Sequence, residues 1–149
     1  MKFFKDKKNL EWRLVVNVAA LKAVKSVCGV DLFNIISLKE GEKPDLSRLT
    51  ALAEDPILLV DVLYTLCAKQ IAERNMTPEE FAEGLNGDVL EKAFHSLMME
   101  TFDFFPEAKR LTMTKLWTIA TRYQEKNQQE LLEKVNDPEL EAKIISQMK

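Results

Sequence analysis

Hydrophobic spacing switches period once near the start of the chain and holds the second period to the end. Residues 2–17 place Phe3 and Phe4, the polar run Asp6-Lys7-Lys8-Asn9, and then Trp12, Leu14 and Val16 at period two. That spacing is too tight for a helix and predicts a β-hairpin with Trp12, Leu14 and Val16 facing inward. From Val18 the period becomes helical, with Leu21, Val24 and Cys28 on one face, and Gly29 supplies a left-handed stop. Asp31 then reads as the cap of a short second helix carrying Leu32, Ile35 and Ile36.

Lys39 to Asp45 reads as loop, and Leu46, Leu49 and Leu52 predict a short helix before Asp55. The run from Ile57 to Ile71 is apolar on most sides, with only Asp61, Thr65 and Lys69 forming a polar strip, so its helix is expected at the centre of the core. Asn75 closes it. Met76-Thr77-Pro78-Glu79-Glu80-Phe81 then combines a capping box, Thr77 with Glu80, and a hydrophobic staple, Met76 with Phe81. Leu85-Asn86-Gly87 breaks the chain before a helix from Asp88, whose Leu90, Phe94, Leu97, Met98 and Phe102 share one side. Phe104-Phe105-Pro106 turns into a long helix with Leu111, Leu116, Ile119, Ala120 and Tyr123 in a stripe, and Met113 and Trp117 beside it.

Four of the five prolines, Pro56, Pro78, Pro106 and Pro138, stand directly before amphipathic runs. Proline is tolerated there because the first helical amide has no intrahelical partner and the ring already holds a helical φ. Residues 124–130 contain no apolar side chain, so the long helix is expected either to project into solvent or to fray. Leu131, Leu132 and Val135 follow, and Asp137-Pro138 starts a last helix with Leu140, Ile144, Ile145 and Met148 on one face. A helix of that length is not stable alone in water, so the stripe is expected to dock on the chain's own domain or on a partner. The fold expected is mainly α: a compact single-domain bundle of about seven helices with a short N-terminal β-hairpin on its flank. It divides into a hairpin-plus-helical domain, 1–123, and a polar extension with a short amphipathic helix, 124–149.

Composition adds limits. A chain of 149 residues, 46% hydrophobic and 30% charged, suits one globular domain. No window approaches the ~20 apolar residues of a bilayer span, and no stretch reads as a secretory leader, so a cytoplasmic protein is expected. The net charge of −3 is uneven: residues 1–25 carry seven Lys/Arg against Asp6 and Glu11. Lys5, Lys7 and Lys8 read as a solvated hairpin tip, because the aromatic and arginine interleaving that nucleic-acid binding uses is missing. Cys28 and Cys67 lack zinc or redox spacing and read as buried free thiols.

Candidate chemistry is sparse. Gly29, Gly41, Gly84 and Gly87 are dispersed, which excludes the glycine-rich phosphate-loop motifs. His95 is the single histidine; Glu91, one turn before it, is the carboxylate that could orient it as a general base. The same pair is a routine surface contact on a helix. A carboxylate di-metal bundle requires Glu-x-x-His on two helices, and the residue three before His95 is Lys92. No catalytic, cofactor-binding or metal-binding residue is expected. The candidate binding residues are the apolar stripe Leu140, Ile144, Ile145 and Met148.

The order of segments carries a resemblance. Trp12-Arg13-Leu14, then Val27-Cys28-Gly29-Val30-Asp31-Leu32, then Leu52-Ala53-Glu54-Asp55-Pro56-Ile57-Leu58-Leu59, then Thr77-Pro78-Glu79-Glu80-Phe81, then Gly87-Asp88 and a helix ending Phe104-Phe105-Pro106 follow one another. Over roughly residues 10–110 this resembles the tail assembly chaperones of tailed bacteriophages and prophages, small proteins made between the tail tube and tape-measure genes. The resemblance implies a non-catalytic protein of the bacterial host cytoplasm whose partners are the tape-measure and tail tube proteins. No cofactor is expected; the hydropathy and charge patterning above speak against a membrane and do not favour nucleic acid, and a homo-oligomer is left open. Two other readings stand beside it: a structural adaptor or connector retained in the phage particle, and an enzyme built around His95 and Glu91.

Overall fold

A computed structural model describes residues 2–39 and 41–149. The protein is mainly α, with a two-stranded antiparallel N-terminal hairpin and seven helices among the described residues. In chain order the elements are β1 (Lys2–Lys5), β2 (Glu11–Leu14), α1 (Val18–Cys28), α2 (Ser47–Glu54), α3 (Pro56–Glu73), α4 (Pro78–Glu83), α5 (Gly87–Asp103), α6 (Glu107–Val135) and α7 (Pro138–Met148). The chain forms two compact units, Met1–Arg110 and Leu111–Lys149, and the division falls inside α6.

In the first unit the hairpin pairs Phe4 with Trp12 and Phe3 with Arg13. Phe4, Trp12, Leu14 and Val16 are buried, so period two sorts β2 as expected. The turn holds a surprise. Lys5, Lys7 and Lys8 are exposed, but Asp6, in the middle of that polar run, is only 5% exposed. Its Oδ1 accepts from the backbone N–H groups of Lys8 and Leu10, each at 2.9 Å, and its Oδ2 accepts from Trp12 Nε1 at 3.0 Å. One carboxylate therefore satisfies both the turn backbone and a buried indole. Asn9 closes the turn at φ 65°, a left-handed conformation that asparagine tolerates. Lys7 N–H donates to the Gly84 carbonyl at 2.9 Å, tying the turn to the end of α4.

Helix α3 closes the outer edge of β2. Gln70 accepts from Arg13 N–H through Oε1 and donates to the Arg13 carbonyl through Nε2, both at 2.9 Å. Arg74 donates to the Glu11 carbonyl at 2.7 Å and lays its guanidinium 4.2 Å above the Trp12 ring. On the other strand, Ser96 of α5 donates to the Phe3 carbonyl at 3.2 Å. Side chains from two helices thus occupy backbone groups that an exposed strand edge would offer for pairing.

Local capping explains where the helices begin and end. Asn17 accepts from Ala20 N–H to start α1, and Gly29 at φ 71° ends it. Asp55 caps α3 through Leu58 N–H, with Pro56 in the first turn, and Asn75 follows α3 at φ 52°. The capping box of α4 is complete: Glu80 N–H donates to Thr77 Oγ1 at 3.1 Å and Thr77 N–H to Glu80 Oε1 at 3.3 Å. Pro106 precedes the first residue of α6, and its carbonyl accepts from Arg110 N–H at 2.9 Å.

Residues 31–36 depart from expectation. They form turns, not a helix, although Leu32, Ile35 and Ile36 are buried. Asp31 accepts from the Asn34 backbone and side-chain amides, and the chain then becomes extended because Ser37 pairs with Asp45 through two backbone bonds. A single turn cannot repay the cost of helix nucleation against that alternative.

Helix α3 buries Leu59, Val62, Leu63, Cys67 and Ile71, whereas Ile57 in its first turn is 76% exposed. Phe81 of α4 packs edge-on against Trp12, with ring centres 5.0 Å apart, and against Tyr64 at 6.0 Å. On α5 the buried face includes Leu97, Met98 and Phe102, as expected. It also takes in Val89, Ala93, Glu100 and Thr101, while Leu90 and Phe94 are only half-buried.

In the second unit α6 continues unbroken through residues 124–130, all exposed, so the polar run does not fray the helix. Met113 is its one fully covered residue among those described, whereas Leu111, Ile119 and Tyr123 are exposed. Of the expected stripe, Leu116 and Ala120 are half-buried, so it is covered only in part. Among the described residues no helix is long and apolar enough to cross a membrane.

Candidate protein-docking surface

The stripe singled out in the sequence lies on α7, whose start is held locally. Asp137 Oδ1 accepts from Glu139 N–H at 3.0 Å, Pro138 occupies the first turn, and the Asp137 carbonyl accepts from Leu140 and Glu141. A two-residue joint, Asn136-Asp137, separates α6 from α7, and its amides bond back to the Leu132 and Lys134 carbonyls. The helix is thus defined by its own cap.

Its apolar face is uncovered. Leu140 is half-buried, Ile144 and Ile145 are each 47% exposed, and Met148 is 82% exposed. The last turns of α6 add residues the sequence reading did not assign to the site: Leu131, Leu132 and Val135 are all more than half exposed. Their signal was legible, because three apolar residues follow a run with none and sit three and four apart. Single exposed apolar residues need no explanation, but six exposed large ones within 18 positions on either side of one short joint make this segment the candidate for protein contact.

Charge frames this surface. Residues 130–141 contain Glu130, Glu133, Asp137, Glu139 and Glu141 against Lys134 alone. Glu141 belongs to the apolar stripe itself, since it precedes Ile144 and Ile145 by three and four residues, whereas Lys143, three residues after Leu140, stands at the stripe's outer edge.

The remaining candidates are scattered. His95 and Glu91 are both exposed on α5. An open cavity of about 230 Å³ lies beside the hairpin, lined by Phe3, Glu11, Arg13, Gln70, Glu73 and Arg74, but Gln70 and Arg74 are engaged with the β2 backbone. Cys67 is a buried free thiol whose pKa burial pushes up to about 12 against the opposing pull of Arg74, which keeps it protonated and poorly nucleophilic. Cys28 is free and half-buried, with Sγ 3.4 Å from Thr65 Oγ1. Among the described residues no three His, Cys, Asp or Glu side chains gather where they could hold a metal ion. What the surface offers chemically is apolar area with an acidic border. No protein-family model matches this chain, and no curated protein or solved structure matches it.

Proposed function

We propose that this protein is a non-catalytic tail assembly chaperone of a tailed bacteriophage or prophage, working in the host cytoplasm on the tape-measure and tail tube proteins. The observation that carries the reading is the exposure of the apolar residues Leu131, Leu132 and Val135 on α6 and Ile144, Ile145 and Met148 on α7. A long helical client awaiting assembly exposes apolar stripes of its own, and helix-on-helix burial is the physical means of shielding them reversibly. The partner identities rest on the resemblance of segment order across residues 10–110. Burying part of such a stripe stabilises a complex by about 25 cal/mol per Å² of apolar area before the costs of association, which suits a contact that must later yield to tube subunits.

Co-expression with the tape-measure protein of the same genome is the test. The chaperone reading expects the tape-measure protein to become soluble and to copurify, and expects this chain to be missing from purified particles by mass spectrometry. Unchanged solubility without copurification overturns it. Presence in particles at fixed stoichiometry instead identifies the structural adaptor.

A further inference from the structure

We infer that the α7 face selects a basic amphipathic helix, one whose apolar stripe is flanked or interrupted by Lys or Arg. The inference rests on the docking role proposed above and names the chemistry of the segment bound. Its starting point is Glu141, which is exposed and shares the stripe with Leu140, Ile144 and Ile145. A helix pressed onto that stripe removes water from the Glu141 carboxylate. If the partner brings only apolar or acidic groups, a charge is left desolvated or repelled; if it brings a cation, the charge is paired.

The border repeats the preference. Glu130, Glu133, Asp137 and Glu139 flank the joint between α6 and α7 in sequence with Lys134 as the one cation among residues 130–141, and Lys143 and Lys149 follow toward the far end of α7, so the acidic excess is concentrated at the joint. Such a field speeds the approach of a basic segment and slows that of an acidic one, including a second copy of this same acidic segment. Met148, 82% exposed at the end of the stripe, adds an adaptable apolar contact that tolerates varied partner side chains.

The experiment uses the whole chain and three labelled synthetic helical peptides: one with an apolar stripe flanked by Lys, one with the same stripe flanked by Glu, and a Lys-rich peptide with the apolar order scrambled. Fluorescence anisotropy should show the first binding about tenfold more tightly than the other two. Raising the salt should narrow the gap between the Lys- and Glu-flanked peptides. Glu141→Gln should narrow it at constant salt, and Ile144→Ser should weaken the amphipathic peptides while circular dichroism stays unchanged. Equal affinity for the Lys- and Glu-flanked peptides overturns the inference, as does equal binding of the scrambled peptide or no binding at all. A dimer of the unliganded chain that Ile144→Ser dissociates also overturns it, by giving the face to a second copy. Capture of the tape-measure protein without peptide preference sinks this inference alone; peptide preference without that capture sinks the proposed partner alone.

Discussion

Asp6 shows how much one side chain can organise. Its carboxylate bonds to two turn amides and to the Trp12 indole, and Trp12 in turn contacts Phe81 and the Arg74 guanidinium. Asp6→Ala should therefore destabilise the fold by about 2–4 kcal/mol in urea unfolding, since it orphans a buried indole N–H and two turn amides together. Gly84 supports the same knot from the other side. A Cβ there would stand 2.8 Å from Asp6 Oδ2 and 3.2 Å from Asp6 Cβ, against a side chain held by three hydrogen bonds. Gly84→Ala should cost about 1–3 kcal/mol by overpacking, read in the same unfolding curve, because the backbone at Gly84 is ordinary helical and only the space is lacking. Neither residue could be singled out from sequence alone. Asp6 sits in a run of polar residues that reads as solvated, and what buries it is Trp12 and the end of α4, more than seventy positions along the chain.

Elements, by contrast, were largely legible, because their signals are local. A capping box acts between residues three apart, so Thr77 and Glu80 announce α4 without reference to anything else. Thr77→Ala should lower stability by about 1 kcal/mol, measurable as a shift in urea midpoint with unchanged m-value. The same locality explains the one element misread: Asp31 does bond to Asn34 as a cap would, but the Ser37–Asp45 pairing draws the chain extended before a second turn forms. Helix faces were less legible than helix ends. On α5, Ala93 and Thr101 are buried beside Leu97, and on α6 the large residues Leu111, Ile119 and Tyr123 are exposed while Met113 is covered. On α7 every residue of the stripe except Leu140 is exposed, so Ile144→Ser should change the unfolding midpoint by no more than about 0.5 kcal/mol equivalent. A large loss would mean that α7 is packed within the fold and would remove it as a docking surface.

At the scale of the whole molecule, charge and burial set different limits. Asp31 has its pKa held below the ordinary 3.8, first by the Asn34 side-chain hydrogen bond, against a smaller opposing effect of burial. A lowered carboxylate pKa means the folded state holds fewer protons than the unfolded state, so the stabilisation is complete above 3.8 and fades as pH falls through the folded value. The difference in Tm between the parent and Asp31→Asn should accordingly be present at neutral pH and close in acid. The candidate site was visible in part: the stripe Leu140, Ile144, Ile145 and Met148 is a matter of spacing on one helix, whereas its exposure, and that of Leu131, Leu132 and Val135, is not. Sequence alone determined the helical class, the hairpin, most helix boundaries and the absence of glycine-rich phosphate motifs, because caps, turns and periodicity act over a few neighbouring residues. Only tertiary structure decided which faces are covered, that Asp6 is buried, and that Gln70 closes the β2 edge at Arg13 from 57 positions away, because these depend on segments that meet only after the chain has folded.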